Sequence, residues 1–176
     1  GDLELTRKEF ARSIELIEAV AEVAKDKAQI FIEMHGRFAP HQAVEIAKAI
    51  EHLQPGWIEE PCRPEGLGAM EYVVQHTSIP VATGERLYRA MQFRELFERR
   101  CAHIIQPDIN QCGGLLEVKK IAAWAEAYSI MVAPHNVGGI ISTTAALHLI
   151  ASLRNGKILE HFNDFADPDV QNCGSP

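Results

Sequence analysis

The chain has 176 residues, 47% of them hydrophobic and 23% charged, with a formal net charge of -7. That is ordinary globular composition with enough length for a sizeable core, and its acidic balance repels phosphate backbones, so nucleic acid is not an expected partner. No run of about 18 apolar residues occurs and the opening GDLELTRKEF has no apolar signal core, so no membrane partner is expected and the cytoplasm is the default location.

Segment 6–25 carries Phe10, Ile14, Ile17, Ala21 and Ala24 at three- and four-residue steps, which predicts an amphipathic helix. Thr6 starts it, and Glu9 three residues on completes a capping box. Ile30–Ile32 follows as a short apolar strand that switches abruptly to Glu33, Met34, His35, Gly36 and Arg37. A helix is expected over 41–52, broken by Pro55-Gly56, and Trp57-Ile58 then runs into Glu59-Glu60-Pro61. The alternation continues with a helix over 67–76, a strand over 79–82 ending at Thr83-Gly84-Glu85, and a helix over 91–100. A strand over 103–106 ends at Pro107-Asp108 and a strong helix covers 115–128. The strand 130–133 ends at Pro134-His135, a helix spans 140–153, and the strand 157–159 ends at Glu160.

Six short strands, apolar on both faces and separated by helices, predict a parallel sheet covered by helices. Glu33, Glu59 and Glu85 recur at intervals of 26 residues, and Asp108, His135 and Glu160 follow at steps of 23, 27 and 25. One strand-helix unit of an eight-unit barrel of about 250 residues has this length. Titratable groups at the ends of successive strands suggest a ring, whereas an open doubly wound sheet gathers its ligands at one switch point. The expected fold is therefore α/β, a (β/α)8-type TIM barrel present here as an incomplete set of about six units over residues 1–176. Open sheet edges are costly, so a homo-oligomer or a partner segment covering them is expected.

Three carboxylates at adjacent strand ends repel one another unless a cation neutralises them. Oxygen donors without cysteine favour Mg²⁺, so Glu33, Glu59 and Glu85 are the expected metal ligands. Successive strand residues face opposite sides, and the 26-residue phase selects Glu59, leaving Glu60 to brace the loop or bond a neighbouring Lys or Arg. Asp108 beside His135 can fix the imidazole tautomer and raise its basicity, making His135 a general base. His35, two residues past Glu33, shares its face if the strand geometry persists and is a candidate catalytic group. Glu160 is a candidate substrate contact, and Arg37 is open between a substrate anion and Glu33 or Glu59. Gly113-Gly114 and Gly138-Gly139 lack the dinucleotide fingerprint and are expected to make tight turns. Cys62, Cys101, Cys112 and Cys173 form no C-x-x-C pair and are expected as free thiols in a reducing compartment.

The motifs WIEEP, ATGERL, IIQPDINQCGG and APHNVGG, in this order, resemble the enolase superfamily, mandelate racemase subgroup. They are similar to the barrel domain of acid-sugar dehydratases of the galactonate dehydratase kind, over essentially the whole chain. The resemblance implies Mg²⁺ on Glu33, Glu59 and Glu85, a base dyad of Asp108 and His135, a dehydratase-type histidine at His35, and Glu160 as the acid ending the eighth strand. It also implies an N-terminal capping domain and two earlier strands, neither of which is in this chain. The family more often has Asp at the first ligand position, and the extra methylene of Glu33 shifts the oxygen by about 1.5 Å. The implied reaction removes the proton next to a sugar-acid carboxylate and eliminates the neighbouring hydroxyl to give a 2-keto-3-deoxy acid. A racemase or epimerase of a 2-hydroxy acid, and an inactive barrel fragment, are the alternatives.

Overall fold

The computed structural model describes residues 4–162. The first helix, α1 (Arg7–Ala24), begins at the expected box: Thr6 Oγ1 accepts from the Glu9 N–H at 3.3 Å, and the Glu9 carboxylate accepts from the Thr6 N–H at 2.8 Å. Phe10, Ile14, Ile17, Ala21 and Ala24 form its half-buried face, while Leu16, Val20 and Val23 are exposed and no residue is fully buried. A 3-10 turn (Lys25–Lys27) leads to β1 (Ile32–Glu33), then α2 (Pro40–Ile50) and a second 3-10 turn (Glu51–Leu53). Pro40 suits the first turn of α2, where a backbone N–H would have no partner. The chain continues through β2 (Ile58–Glu59), α3 (Leu67–His76), β3 (Val81–Thr83), α4 (Arg89–Glu98), β4 (Ile104–Ile105), α5 (Leu115–Ala127), β5 (Met131–Val132) and α6 (Ile140–Ala151).

Two compact units divide the chain. In the first, residues 4–83 with Arg99–Ala102, the strands β1, β2 and β3 run parallel in that order. Register sets Ile32 beside Ile58 and Glu33 beside Glu59, then Ile58 beside Val81 and Glu59 beside Ala82. Its core is apolar and includes Ala43, Val44, Ala47, Ile50, Ile58 and Met70. Trp57, 4% exposed, stacks on Phe31 at a centroid separation of 3.8 Å.

In the second unit, Gly84–Glu98 with residues 103–162, β4 and β5 pair in parallel with Ile104 beside Met131 and Ile105 beside Val132. Phe93 and Phe97 of α4 are its largest fully buried side chains, and Phe97 meets the rings of Phe93, Trp124 and Tyr128 at centroid separations of 6.1, 6.1 and 5.7 Å. The sixth expected strand is reduced to one parallel bridge, Gly156 with Val132, flanked by the hydrogen bonds Val132 N–H to Asn155 C=O (2.9 Å) and Lys157 N–H to Val132 C=O (2.8 Å). Gly113 and Gly114 take φ of 110° and 89°, the tight turn expected before α5.

The fold is thus α/β, with parallel strands each followed by a helix, in the manner of a (β/α) barrel. Among the described residues it carries five strands and one further bridge, fewer than the eight of a closed barrel. Among the described residues no helix is long and apolar enough to cross a membrane. Cys62 and Cys112 are free thiols, as expected, and both are buried, as is Cys101; Cys173 lies outside the described residues.

Burial pushes the Cys62 and Cys112 thiols up to about 11, helped at Cys62 by the neighbouring Glu60 charge. In the folded protein both are expected to escape iodoacetamide at pH 8 and to react fully in denaturant, read by peptide mass spectrometry. Full native labelling of either thiol would contradict the core described here.

Candidate active site

β2, β3 and β4 are buried along their length, so polar groups gather where they end. In the first unit, the in-register pairing of β1 with β2 brings carboxylate oxygens of Glu33 and Glu59 within 4.8 Å of one another. Glu33 is exposed and Glu59 is 8% exposed. One Glu33 oxygen accepts the backbone N–H of His35, and Glu59 Oε2 accepts the indole N–H of Trp57 at 2.9 Å. Glu60 is fully buried and left-handed (φ 41°), and its carboxylate accepts the Thr83 hydroxyl. Its carbonyl takes the Gly36 N–H at 2.6 Å, so Glu60 braces the loop after β1, one of the two roles expected of it.

The strand geometry does not persist to His35. β1 ends at Glu33, and His35 is exposed in a left-handed conformation (φ 57°), so the alternation that would align the two side chains stops short of it. The connection between them runs through the His35 backbone. Arg37 is exposed and its N–H turns back to the Met34 carbonyl at 3.2 Å.

In the second unit, Gly84 turns the chain at φ 129°, a conformation that L side chains rarely adopt; a Cβ there would sit 3.0 Å from the Phe93 ring and 3.2 Å from the Gln106 nitrogen. That turn delivers Glu85, whose side chain is 12% exposed and lies 3.2 Å from Arg86 Nε. Glu85 Oε2 is 3.5 Å from His135 Nε2, and Glu160 Oε2 is 3.9 Å from the same nitrogen. The other ring nitrogen, Nδ1, meets Asp108 Oδ2 at 2.7 Å. Asp108 Oδ1 accepts the Asn110 N–H at 2.6 Å, which fixes the carboxylate from the far side.

These contacts decide two protonation equilibria. Burial opposes ionisation of Asp108, but hydrogen bonds from His135 and from the Asn110 backbone hold its carboxyl below the usual range. Burial likewise opposes charge on His135, but the Asp108 hydrogen bond and the nearby Glu160, Glu85 and Asp108 charges raise its pKa. Asp108 and His135 are therefore joined through Nδ1, and Nε2 faces Glu85 and Glu160.

Three further residues carry no signal in the sequence. Asn136, 1% exposed, donates its backbone N–H to Glu160 Oε2 (3.1 Å) and its side-chain amide to Thr143 Oγ1 (3.0 Å) and to the Glu160 carbonyl (3.3 Å). Ser142 Oγ donates to Asn136 Oδ1 (3.1 Å) and accepts from Asn110 Nδ2 (2.8 Å). Trp57, whose bond to Glu59 is described above, looks in the sequence like any core aromatic.

The paired donors Glu33 and Glu59 are carboxylates, which suit a hard cation such as Mg²⁺ rather than zinc. The repulsion between the paired Glu33 and Glu59 carboxylates is a cost that a divalent cation relieves. The residues present therefore fit such an ion.

The family model described as enolase C-terminal domain-like matches residues 3–174. D-xylonate dehydratase of Haloferax volcanii is 36% identical over 157 residues, spanning 89% of this chain and 38% of the relative. D-gluconate/D-galactonate dehydratase of Picrophilus torridus is 32% identical over 154 residues, spanning 87% and 39%. Among solved structures, a mandelate racemase/muconate lactonizing enzyme-like protein of Rubrobacter xylanophilus superposes with a TM-score of 0.90 at 36% identity, over 95% of this chain and 42% of that one. The chain thus spans about two fifths of the length of the proteins it matches.

In protein free of divalent cations, the His135 ring proton signals are expected to titrate above the ordinary imidazole value of about 6.5. Asp108→Asn removes a hydrogen bond and a charge that favour imidazolium, so the midpoint should fall. A parent midpoint below 6.5, or no change in Asp108→Asn, would contradict the dyad.

Proposed function

The chain belongs to the enolase C-terminal domain-like family, and from there we propose that its protein is a Mg²⁺-dependent dehydratase of a sugar acid. The observation that carries this reading is the dyad: His135 Nδ1 is committed to Asp108 while Nε2 faces the carboxylates of Glu85 and Glu160. The names of the Haloferax and Picrophilus relatives support the substrate class. Residues 1–176 are assigned to one barrel domain, with substrate choice shared with parts of the protein beyond it.

Glu33, Glu59 and Glu85 are assigned as the cation ligands, on their 26-residue recurrence and on the in-register pairing of the first two. A divalent cation bound there would neutralise these carboxylates and stabilise the negative charge that builds on the substrate carboxylate during proton removal. His135 accepts the proton from the carbon next to that carboxylate through Nε2, because Asp108 holds the ring in the tautomer that leaves Nε2 unprotonated. The charges that raise its pKa stabilise the imidazolium once formed. His35, on the loop after β1, is assigned to protonate the departing hydroxyl of the next carbon. The C–O bond breaks, water leaves, and the resulting enol takes up a proton to become a 2-keto-3-deoxy acid. Glu160 holds a substrate hydroxyl, with its carboxylate pinned by the Asn136 N–H. A further strand-helix unit of the protein, or a second copy, is placed against β1, where Leu16, Val20 and Phe31 are exposed.

The test supplies the protein and Mg²⁺ with D-xylonate, D-gluconate, D-galactonate and a panel of other aldonic and aldaric acids, with a keto-acid readout. Turnover is expected on at least one of them, lost on chelation and reduced about 10²- to 10⁴-fold in His135→Asn. Turnover indifferent to His135→Asn refutes the mechanism. Exchange of the proton next to the carboxylate without loss of water favours a racemase or epimerase, and a protein inert to the whole panel favours an inherited but idle site.

A further inference from the structure

We infer that Trp57 is a positioning residue for the cation site: its indole N–H holds one oxygen of Glu59 so that the other oxygen alone is presented to the ion. The inference rests on the assignment of Glu59 as a cation ligand and goes beyond it, from the ligand to what aims the ligand.

Trp57 and Glu59 lie two residues apart along the run that forms β2, the spacing that sets side chains on one face. Trp57 Nε1 donates to Glu59 Oε2 at 2.9 Å, with the two residues 4% and 8% exposed. An indole can only donate, and a buried one needs an acceptor. A carboxylate is the strongest acceptor available, and a bond to an ionised group is shorter and stronger than a neutral one.

The ring is itself held in place. Phe31, on the run that forms β1, lies over it at a centroid separation of 3.8 Å and an interplanar angle of 28°. Phe31 can lie there because residue 56 is glycine; a Cβ at Gly56 would overlap the Phe31 ring. The order of dependence is therefore Gly56, Phe31, Trp57, Glu59. Each member restricts the next, and the last carries the charge.

Mg²⁺ demands near-ideal octahedral geometry and tolerates little displacement of its ligands. A carboxylate with one oxygen tied to an indole cannot swing to chelate through both, so Glu59 offers a single oxygen along a fixed direction. Partners that orient a ligand in this way typically carry about 10- to 100-fold in metal affinity. An aromatic that merely fills core volume would leave affinity untouched and would not respond to the ion.

The chain has two tryptophans, and Trp124 on α5 is 38% exposed, so Trp124→Phe leaves Trp57 as the sole indole. In that variant, Mg²⁺ is titrated while the indole N–H resonance is followed by ¹⁵N NMR and affinity is measured by calorimetry. The indole signal is expected to shift with the calorimetric midpoint, and Glu59→Gln should displace it without any metal. Trp57→Phe, which keeps an aromatic ring and removes the donor, should weaken Mg²⁺ binding about 10- to 100-fold. Should Trp57→Phe fail to fold, the indole signal of the intact site decides alone. Mg²⁺ binding that leaves the indole signal unmoved, or that a folded Trp57→Phe protein retains at full affinity, overturns the role of Trp57 and spares the cation site. No Mg²⁺ binding by the parent protein overturns the cation assignment and this inference together.

Discussion

Parallel pairing of β1 with β2 sets Glu33 beside Glu59, and two like charges held side by side at a strand end cost free energy that the pairing itself does not return. The cost cannot be avoided by moving the charges inward. β2 and β3 are buried along their whole length, so polar side chains are tolerated only where such a strand stops. The same constraint explains Glu60, which the chain turns away from Glu59 through a left-handed residue and satisfies with the Thr83 hydroxyl. Just before the acids sits the aromatic pair Phe31 and Trp57, whose indole N–H donates to Glu59.

In the second unit the strand-end carboxylates gather around an imidazole instead. His135 gathers Asp108, Glu85 and Glu160 around its two nitrogens, and each raises its pKa against the opposing effect of burial. The ring is held by its hydrogen bond to Asp108, while Glu160 is positioned by Asn136 and, through Ser142 and Asn110, is linked to the loop that carries Asp108. Loops after β4, after β5 and around the terminal bridge are thereby joined by side-chain hydrogen bonds. Such a network is strong when every member is satisfied and is vulnerable to the loss of one.

Much of this was legible in the sequence wherever a periodic signal met a simple physical rule. The box at Thr6 and Glu9, the half-buried face of α1 from Phe10 to Ala24, and the bounds of α3 follow from local chemistry and helical spacing. The strand-end phase also paired Asp108 with His135. Strand limits shifted by one or two residues because elements of two or three residues are defined by pairing rather than by composition. The last strand shrank to a bridge at Gly156, where Asn155 spends its side chain on the Ala122 and Ile130 carbonyls. His35 departed from the alternation because β1 ends at Glu33, which no pattern in IFIEMHGRF reveals. Trp57, Asn136 and Ser142 were out of reach for another reason: each acts through a partner distant in sequence or through a donor that composition does not distinguish from core or loop.

The central proposal is that Glu33, Glu59 and Glu85 together hold one divalent cation. Anomalous diffraction from crystals of the protein soaked in Mn²⁺ tests it most directly. The account predicts a single strong peak at bonding distance from one oxygen of each of the three glutamates; a peak bound elsewhere, or one that any of the three fails to reach, would contradict it.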